Sequence, residues 1–254
     1  MYQDEYERWL QADLQDVDLK TELQNIKGDD DAIKERFAVA LKFGTAGLRG
    51  TLGAGTNRMN IWVVRQATQG VADWVKTQGG TQTVAISYDS RLKGWNFARD
   101  AAGVLAANGI HVRIYDELMP VPALSFATRY YHCNAGIMVT ASHNPAKYNG
   151  YKAYGPDGCQ MTDEAADIVY QQIQKTDVLT GAKYMSFAEG VNKGLIQFVE
   201  DDCKNALYEA IEARQIRPGI AATSGLKLVY SPLNGTGLVP VTRVLNDIGI
   251  HDIT

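Results

Sequence analysis

Cysteine is scarce in this 254-residue chain, and its three copies, Cys133, Cys159 and Cys203, show no C-x-x-C spacing. An odd, scattered set argues against a disulfide framework and against a zinc site, and it fits a reducing compartment. Positive charge is not in excess either, because the formal net charge is −4. General nucleic-acid binders and proteins of anionic membranes normally carry a basic excess, so neither partner is expected.

Long apolar runs are also missing from the chain. No uncharged apolar stretch approaches the ~18 residues that a membrane-spanning helix needs. Residues 1–10 are acidic and amphipathic, whereas a secretory signal starts with a basic region followed by an apolar one. These absences predict a cytoplasmic protein. The hydrophobic share of 45% is ordinary for a globular protein, and the length allows one large domain or two smaller ones.

Helical and strand patterns alternate along the chain after a polar, helical lead-in of about forty residues. Asn60 can cap a helix that ends at Gly79-Gly80, because apolar residues recur there with helical spacing. Short β-rich runs then alternate with helical ones, which predicts strands at 83–88, 111–115 and 135–140 and helices at 94–108, 121–132, 162–174 and 199–214. The stretch 175–195 is polar and shows no period.

This order of elements predicts an α/β fold with a mixed, mostly parallel sheet and helices on both faces. Near the end, a strand at 226–230, a loop and a helix at 238–247 indicate the start of a second, similar α/β domain. We therefore expect a first domain over 1–200 and the beginning of a second over 201–254. A strand–helix–strand unit cut off at Thr254 cannot complete a sheet, so we expect the natural chain to continue.

The segment TASHNPAKYNGYK, residues 140–152, follows an apolar strand and places Ser142 at its carboxyl end. Ligands of open α/β sheets bind at that end. His143 and Lys152 add a titratable group and a cation, which a serine nucleophile or phosphate carrier needs. Taken alone, the same segment is equally consistent with a polar hairpin loop. A serine hydrolase is disfavoured because no G-x-S-x-G motif surrounds Ser142.

Two further segments carry candidate ligand contacts. FGTAGLRG, residues 43–50, is rich in glycine, and Arg49 and the later Arg58 offer planar forks suited to phosphate oxygens. The stretch lacks the spacing of a P-loop, so a flexible turn with solvated arginines is the alternative. Asp89 and Arg91 follow the strand at 83–88, and we interpret this pair as fixing its own loop rather than as catalytic.

Together these segments resemble the α-D-phosphohexomutase family of phosphoglucomutases and phosphomannomutases. FGTAGLRG resembles its substrate loop, TASHNPAKYNGYK its phosphoserine loop, and SPLNGTG, residues 231–237, the start of its second domain. The run GTNRMN and the helical lead-in are most similar to the longer phosphoglucomutase/phosphopentomutase branch. The resemblance covers most of the chain from Lys42 onward, as an N-terminal fragment of such a protein.

The resemblance implies an isomerase of carbohydrate metabolism. Its phosphoserine would move a phosphoryl group between the 1- and 6-positions, or the 1- and 5-positions, of a sugar through a bisphosphate intermediate. Ser142 would be the phosphorylated carrier, assisted by His143 and Lys152. Thr45 and Arg49 would bind the substrate together with these three residues. The small-molecule partner would be a sugar phosphate, and glucose 1,6-bisphosphate would act as activator.

The resemblance also implies Mg²⁺, with an oxygen of phosphorylated Ser142 as one ligand. The family's Asp-x-Asp-x-Asp metal loop is absent, and Asp29-Asp30-Asp31 is consecutive and interpreted as a solvated helix start. The remaining ligands are therefore expected beyond residue 254, and we expect the fragment alone to be inactive. A non-catalytic phosphosugar-binding module is the alternative. Glucose, mannose and pentose phosphates cannot be separated from these residues.

Overall fold

A computed structural model describes residues 1–44 and 47–254 of the chain. Within them, six strands form one sheet in the order β1-β5-β4-β2-β3-β6. The strands are β1 Gly47–Thr51, β2 Thr83–Tyr88, β3 His111–Ile114, β4 Ala135–Val139, β5 Tyr148–Tyr154 and β6 Ile196–Phe198.

The four strands β4, β2, β3 and β6 pair in parallel, whereas β5 runs antiparallel to both β4 and β1. The carboxyl ends of the parallel strands therefore meet at one edge of the sheet. The central strands β2 and β4 are apolar and almost fully buried, as a parallel sheet covered on both faces requires. The predicted mixed, mostly parallel sheet is confirmed.

Helices occupy the remaining regular structure of the described residues. Their bounds are α1 Tyr2–Gln11, α2 Val17–Asn25, α3 Asp30–Phe37, α4 Ile61–Lys76, α5 Gly94–Ala107, α6 Val121–Tyr130, α7 Asp163–Lys175, α8 Phe187–Asn192, α9 Asp201–Glu212, α10 Ile220–Thr223 and α11 Leu238–Asp247. The helical lead-in that the sequence predicts corresponds to α1, α2 and α3.

Two apolar layers cover the sheet. On one face, α4, α5 and α7 and the helices of the lead-in pack on β-strand residues such as Ile86, Ile137 and Tyr151 in one buried cluster. On the other face, α6 and α9 bury a smaller cluster with Met138 and Tyr154. Helices on both faces are therefore confirmed. Each strand sends alternate side chains to the two layers.

Local capping explains where several helices begin. The Asn60 side chain accepts a hydrogen bond from the Val63 amide at the start of α4, as its position before the apolar stripe predicts. The Asp29 side chain accepts from the Ala32 amide in the same way. The consecutive acidic run is thus a helix start, which confirms that interpretation.

One local prediction was wrong, and two segments contain elements that the sequence pattern did not predict. Glycine-rich residues 47–51 form the edge strand β1, because antiparallel pairing with β5 satisfies their backbone groups. The stretch 175–195, which shows no period, contains α8, and the three-residue strand β6 follows it. Residues 226–230 form no strand: Leu228 makes a single bridge to Ile253, since one isolated pair of strands is barely stable in water.

The C-terminal part of the chain is less well covered than the rest. In α9, Cys203 and Leu207 are buried in the layer on α6. Further on, Val229 and Leu233 are 83% and 86% exposed, and several apolar residues of α11 are exposed as well. The proposed boundary between residues 200 and 201 stays a prediction.

All three cysteines are free thiols in the structure. Burial raises the pKa of Cys133 to about 12 and that of Cys203 to about 11. Cys159 is exposed. Among the described residues, no helix combines the length and apolar character needed to cross a bilayer.

Candidate active site

Ser142 lies directly after the central strand β4, at the edge of the sheet where the parallel strands end. Its side chain is exposed, whereas the preceding Thr140 and Ala141 are buried. The strand is held between β2 and β5, so the position of its end is fixed by two sets of backbone hydrogen bonds. The sequence-based placement of this serine at a ligand-binding edge agrees with the structure.

The backbone of Ser142 has a φ of +57°, in the left-handed region. A side chain other than glycine adopts this region at a cost of about 1–3 kcal/mol, and such strain is concentrated at functional sites. The Ser142 Oγ lies 3.4 Å from Nδ1 of His143. This separation is long for a strong hydrogen bond, and no described carboxylate orients His143. The arrangement is therefore not the triad of a serine hydrolase.

A cavity of about 930 Å³ opens beside Ser142. It is large enough for a sugar phosphate, since small-molecule sites commonly measure 300–1,000 Å³. Its wall combines the serine loop (residues 140–152), the end of β2, the start of α6 and a segment near the C-terminus. The lining residues include Asp89, Arg91, Pro120, Val121, Met138, Thr140, Ser142, His143, Asn144 and 232–236.

Arg49 joins the serine loop from the edge strand β1. Its Nη1 donates a hydrogen bond of 3.1 Å to Oδ1 of Asn144, and the arginine side chain is exposed. The segment that looked like a loop is therefore a strand, and its pairing with β5 brings Arg49 to Asn144, two residues after Ser142. A guanidinium at this point supplies positive charge and planar donors for phosphate oxygens.

Lys152 lies on β5 opposite Met138, a residue of the cavity wall. Residues directly opposite each other in a sheet share a face, so Lys152 is on the cavity side. Gly47 is opposite Lys152 as well, which places Arg49, two residues further along β1, on the same face. Among the described residues, Lys152 has no hydrogen-bond or ion-pair partner.

Two residues of the predicted set have other outcomes. Thr45 lies outside the described residues. Arg58 donates to the Thr51 hydroxyl and pairs with Glu35, so its guanidinium is used inside the protein and not for a ligand.

The Asp89–Arg91 pair fixes more than its own loop. Asp89 Oδ2 lies 3.5 Å from Nε of Arg91, and it accepts a hydrogen bond of 2.6 Å from the Thr140 hydroxyl. The guanidinium of Arg91 also reaches across to backbone carbonyl groups of the serine loop, including that of Ser142. This geometry is consistent with a structural role for the pair. The groups that it holds, however, lie on the serine loop and not on the loop that contains the pair.

Sequence reasoning missed two walls of the cavity. Residues 232–236 belong to the SPLNGTG motif, and the Ser90 hydroxyl donates to the carbonyl of Asn234 there. Pro120 and Val121, at the start of α6, form another wall. Because Pro120 and Pro122 lack N–H groups and the Ala123 amide donates to the Pro120 carbonyl, this helix start contributes mainly apolar surface to the wall. The SPLNGTG motif was visible in the sequence as a signal, whereas nothing local marked residues 120 and 121.

Residues 40–179 match the family model of phosphoglucomutase/phosphomannomutase, alpha/beta/alpha domain I, which is more than half of the chain. The chain belongs to this family. The matched range contains Arg49, the Asp89–Arg91 pair and the whole serine loop. The family resemblance that the motifs indicate is therefore confirmed.

Two bacterial phosphoglucomutases are among the relatives of the chain. A phosphoglucomutase of Staphylococcus haemolyticus is 34% identical over 87% of the chain and 40% of its own length. A phosphoglucomutase of Staphylococcus saprophyticus is 33% identical over 85% of the chain and 39% of its own length. The chain thus spans about two fifths of the length of the curated relatives it matches.

Among solved structures, one from Thermus thermophilus, provisionally described as a phosphomannomutase, has a TM-score of 0.71 and 24% identity. The match covers 85% of this chain and 45% of the Thermus chain. At that identity the likeness supports the fold alone.

The described residues do not assemble a magnesium site. No group of three or more His, Cys, Asp or Glu side chains among them could hold a metal ion. Asp89 contributes a carboxylate to the cavity wall, but it accepts a hydrogen bond from Thr140 and pairs with Arg91. A phosphorylated Ser142 would provide one oxygen ligand, whereas Mg²⁺ is commonly bound by six ligands. The donor set present here does not fit the ion by itself.

Proposed function

We propose that this chain carries the phosphoserine of a phosphosugar mutase, with Ser142 as the phosphoryl carrier. The decisive support is the exposed Ser142 hydroxyl at the end of β4, beside a cavity of about 930 Å³ and on a loop that Arg49 contacts. A side chain buried in the interior, away from a cleft, would have contradicted the idea. The reaction class is an intramolecular phosphoryl transfer between the 1- and 6-positions, or the 1- and 5-positions, of a sugar.

The chemistry balances without a further reactant. The P–O bond to Ser142 breaks as a P–O bond to the free hydroxyl of the sugar monophosphate forms, and the hydroxyl proton passes through a base to the released serine oxygen. The bisphosphate then reorients. The second P–O bond to the sugar breaks as its phosphoryl group is transferred to Ser142, and the serine proton passes to the released sugar oxygen. Such transfers depend mainly on positioning and on neutralising spread negative charge.

The neighbouring residues have separate proposed roles. His143, at 3.4 Å from the Ser142 Oγ, would hold phosphate or take part in proton transfer. Lys152 would supply a cation from the cavity face of the sheet, and Arg49 would hold phosphate oxygens with its planar donors. Thr45 is proposed as a substrate contact from the sequence motif alone.

The activity of the whole protein depends on more than these residues. We propose a Mg²⁺ requirement, with the phosphorylated Ser142 as one ligand and the other ligands supplied outside residues 1–254. Glucose 1,6-bisphosphate is the proposed activator, because it can load the serine. The protein would act in the cytoplasm on a small sugar phosphate, and the fragment alone would turn over poorly or not at all.

One observation favours a second function. Because no metal-binding group occurs among the described residues, a non-catalytic module that binds phosphosugars would need only the cavity and its cations. Such a module would bind sugar phosphates without ever transferring the phosphoryl group to Ser142.

The test is to incubate the full-length protein with Mg²⁺ and glucose 1,6-bisphosphate that carries labelled phosphate, and to map the labelled peptide. We expect the label on Ser142. The Ser142→Ala variant should lose both the label and the mutase activity. Label on another residue, or an active alanine variant, would overturn the assignment. Binding of sugar phosphates without any label would support the binding module.

A matched control is available in the same cavity. Ser90 is a second serine of the cavity wall, but its hydroxyl is bonded to the carbonyl of Asn234. Ser90→Ala should therefore remain labelled on Ser142. A cation control pairs Lys152→Met with Lys147→Met, because Lys147 is exposed on the serine loop and contacts its neighbour Tyr148. Only the first should slow labelling strongly.

A further inference from the structure

The serine loop is held from one side by a single arginine. The guanidinium of Arg91 donates to four backbone carbonyl groups, at 2.7 Å to Ser142, 2.6 Å to Asn144, 3.1 Å to Pro145 and 2.9 Å to Tyr148. The Arg91 side chain is only 11% exposed, so these bonds are partly shielded from water. The planar fork of an arginine suits such a set of acceptors, whereas an ammonium group cannot span it.

The other side of Ser142 is held by Thr140. The Ser142 amide donates to the Thr140 Oγ1 at 2.9 Å, and the same hydroxyl donates to Asp89 Oδ2 at 2.6 Å. Asp89 Oδ1 in turn accepts from the Arg91 amide at 3.1 Å. The carboxylate therefore connects the two sides, and the backbone N–H and C=O groups of Ser142 are both occupied.

We propose that Asp89, Arg91 and Thr140 are positioning residues that impose the left-handed conformation on Ser142 and thereby aim its hydroxyl into the cavity. A φ of +57° is unfavourable for serine, because its Cβ crowds the backbone in this conformation. A conformation of this kind persists only where the surroundings determine it. The Asp89–Arg91–Thr140 network provides the required contacts.

The consequence for the reaction rests on the proposed phosphoserine function. A phosphoryl carrier must present its oxygen in line with the attacking group, and a misplacement of about 1 Å can lower the rate by about a hundredfold. The network touches the backbone of Ser142 and not its hydroxyl. Its loss should therefore slow transfer while leaving substrate affinity nearly unchanged.

The first experiment needs no substrate. The melting temperatures of Ser142→Gly and Ser142→Ala are compared in full-length protein, once in the natural background and once with Thr140→Val. We expect the glycine variant to melt higher in the natural background, because glycine adopts positive φ freely. With Thr140→Val the difference should shrink to about half or less. No difference, or an unchanged one, would overturn the proposal.

The second experiment measures labelling of Ser142 from glucose 1,6-bisphosphate in variants that keep the serine. Thr140→Val and Arg91→Met should lower the labelling rate and kcat at least about tenfold, with KM within about threefold. Thr140→Ser keeps the hydroxyl and should restore most of the rate, whereas Arg91→Lys should not. Arg129→Met, at an exposed arginine near the far end of α6, is the matched control.

The two experiments separate the possible failures. If the natural protein takes up no label, the proposed function fails, while the melting comparison still decides whether the network imposes the conformation. If the melting difference shrinks as expected but the rates of Thr140→Val and Arg91→Met stay unchanged, the positioning role is overturned. A parallel loss of affinity and rate would also overturn it, because it would indicate direct contact with substrate.

Discussion

Two arginine–aspartate pairs of this molecule use the same chemistry in different surroundings. Arg65 of α4 and Asp100 of α5 join two helices in the interior, with Nε and Nη2 of the arginine 2.6 and 2.5 Å from one carboxylate oxygen. Arg91 and Asp89 lie at the rim of the sheet, 3.5 Å apart, and the arginine turns its other donors to the serine loop. Arg65 also donates to Gln15 Oε1 at 3.2 Å, so the first pair joins structural elements, whereas the second contacts the loop of the candidate site.

The difference shows how burial divides stability from function. Burial raises the pKa of Asp100 above its ordinary value, and the positive charge of Arg65 opposes that effect. The carboxylate of Asp100 therefore depends on Arg65 to compensate for its burial. The side chains of the rim pair are 11% and 14% exposed, and the arginine donates to carbonyl groups of the serine loop.

The largest expected effect is in the interior pair. Arg65→Met should lower the free energy of unfolding by about 3–5 kcal/mol, because Asp100 would remain buried without its partner. Urea unfolding followed by circular dichroism measures this loss. A loss below about 1 kcal/mol would show that the two pairs do not differ in the way described. The double variant Arg65→Met/Asp100→Leu should recover part of the stability.

A smaller loss is expected at the rim. Arg91→Met should lower the free energy of unfolding by about 1–2 kcal/mol, since water can replace several of the bonds to exposed carbonyl groups. Hydrogen exchange should accelerate at amides 142–148 and remain unchanged in α4 and α5. Faster exchange throughout the sheet would contradict a local role. Faster exchange confined to amides 142–148 would show that Arg91, unlike Arg65, stabilises only one loop.

The smallest effect is expected at a third, surface pair, Arg8 and Asp177. Partial burial of Asp177 opposes its charge, but the hydrogen bonds from Arg8 and Thr180 outweigh this and lower its pKa from 3.8 to about 2. A carboxyl group whose pKa is lowered by folding stabilises the fold at pH values above its pKa in the unfolded chain. This contribution is lost as the pH falls from about 4 towards 2.

Asp177→Asn should therefore destabilise the protein slightly at pH 7, and the difference from the natural protein should shrink below about pH 4. Urea unfolding at pH 7, 4 and 3 measures it, with Asp13→Asn as the control at a fully exposed aspartate. A constant difference at all three pH values would rule out the carboxylate charge as its source.

Much of the fold follows from local patterns. The helix α4 has both a capping residue, Asn60, and an apolar stripe, and its start agrees with the prediction. The central strand β2 is a short apolar run between polar turns, and its bounds agree as well. The strands β1 and β6 were missed, because a glycine-rich segment and a three-residue segment become strands only through their neighbours in the sheet.

The same distinction applies to the candidate site. Ser142, His143, Arg49 and Lys152 were visible as a motif, and the structure places all four around one end or one face of the sheet. The role of Arg91 was not visible. Its spacing from Asp89 indicates a local pair, whereas its acceptors Ser142 and Tyr148 lie 51 and 57 residues further along the chain.

The sequence by itself determined the fold class, the family and the serine loop, because these depend on periodicity, capping and a continuous motif. Tertiary structure alone decided that a glycine-rich segment is an edge strand and that Arg91 holds Ser142 in a left-handed conformation. Both outcomes depend on backbone groups that find partners far along the chain. No local pattern encodes such partners, because these backbone groups come together only when the sheet has formed.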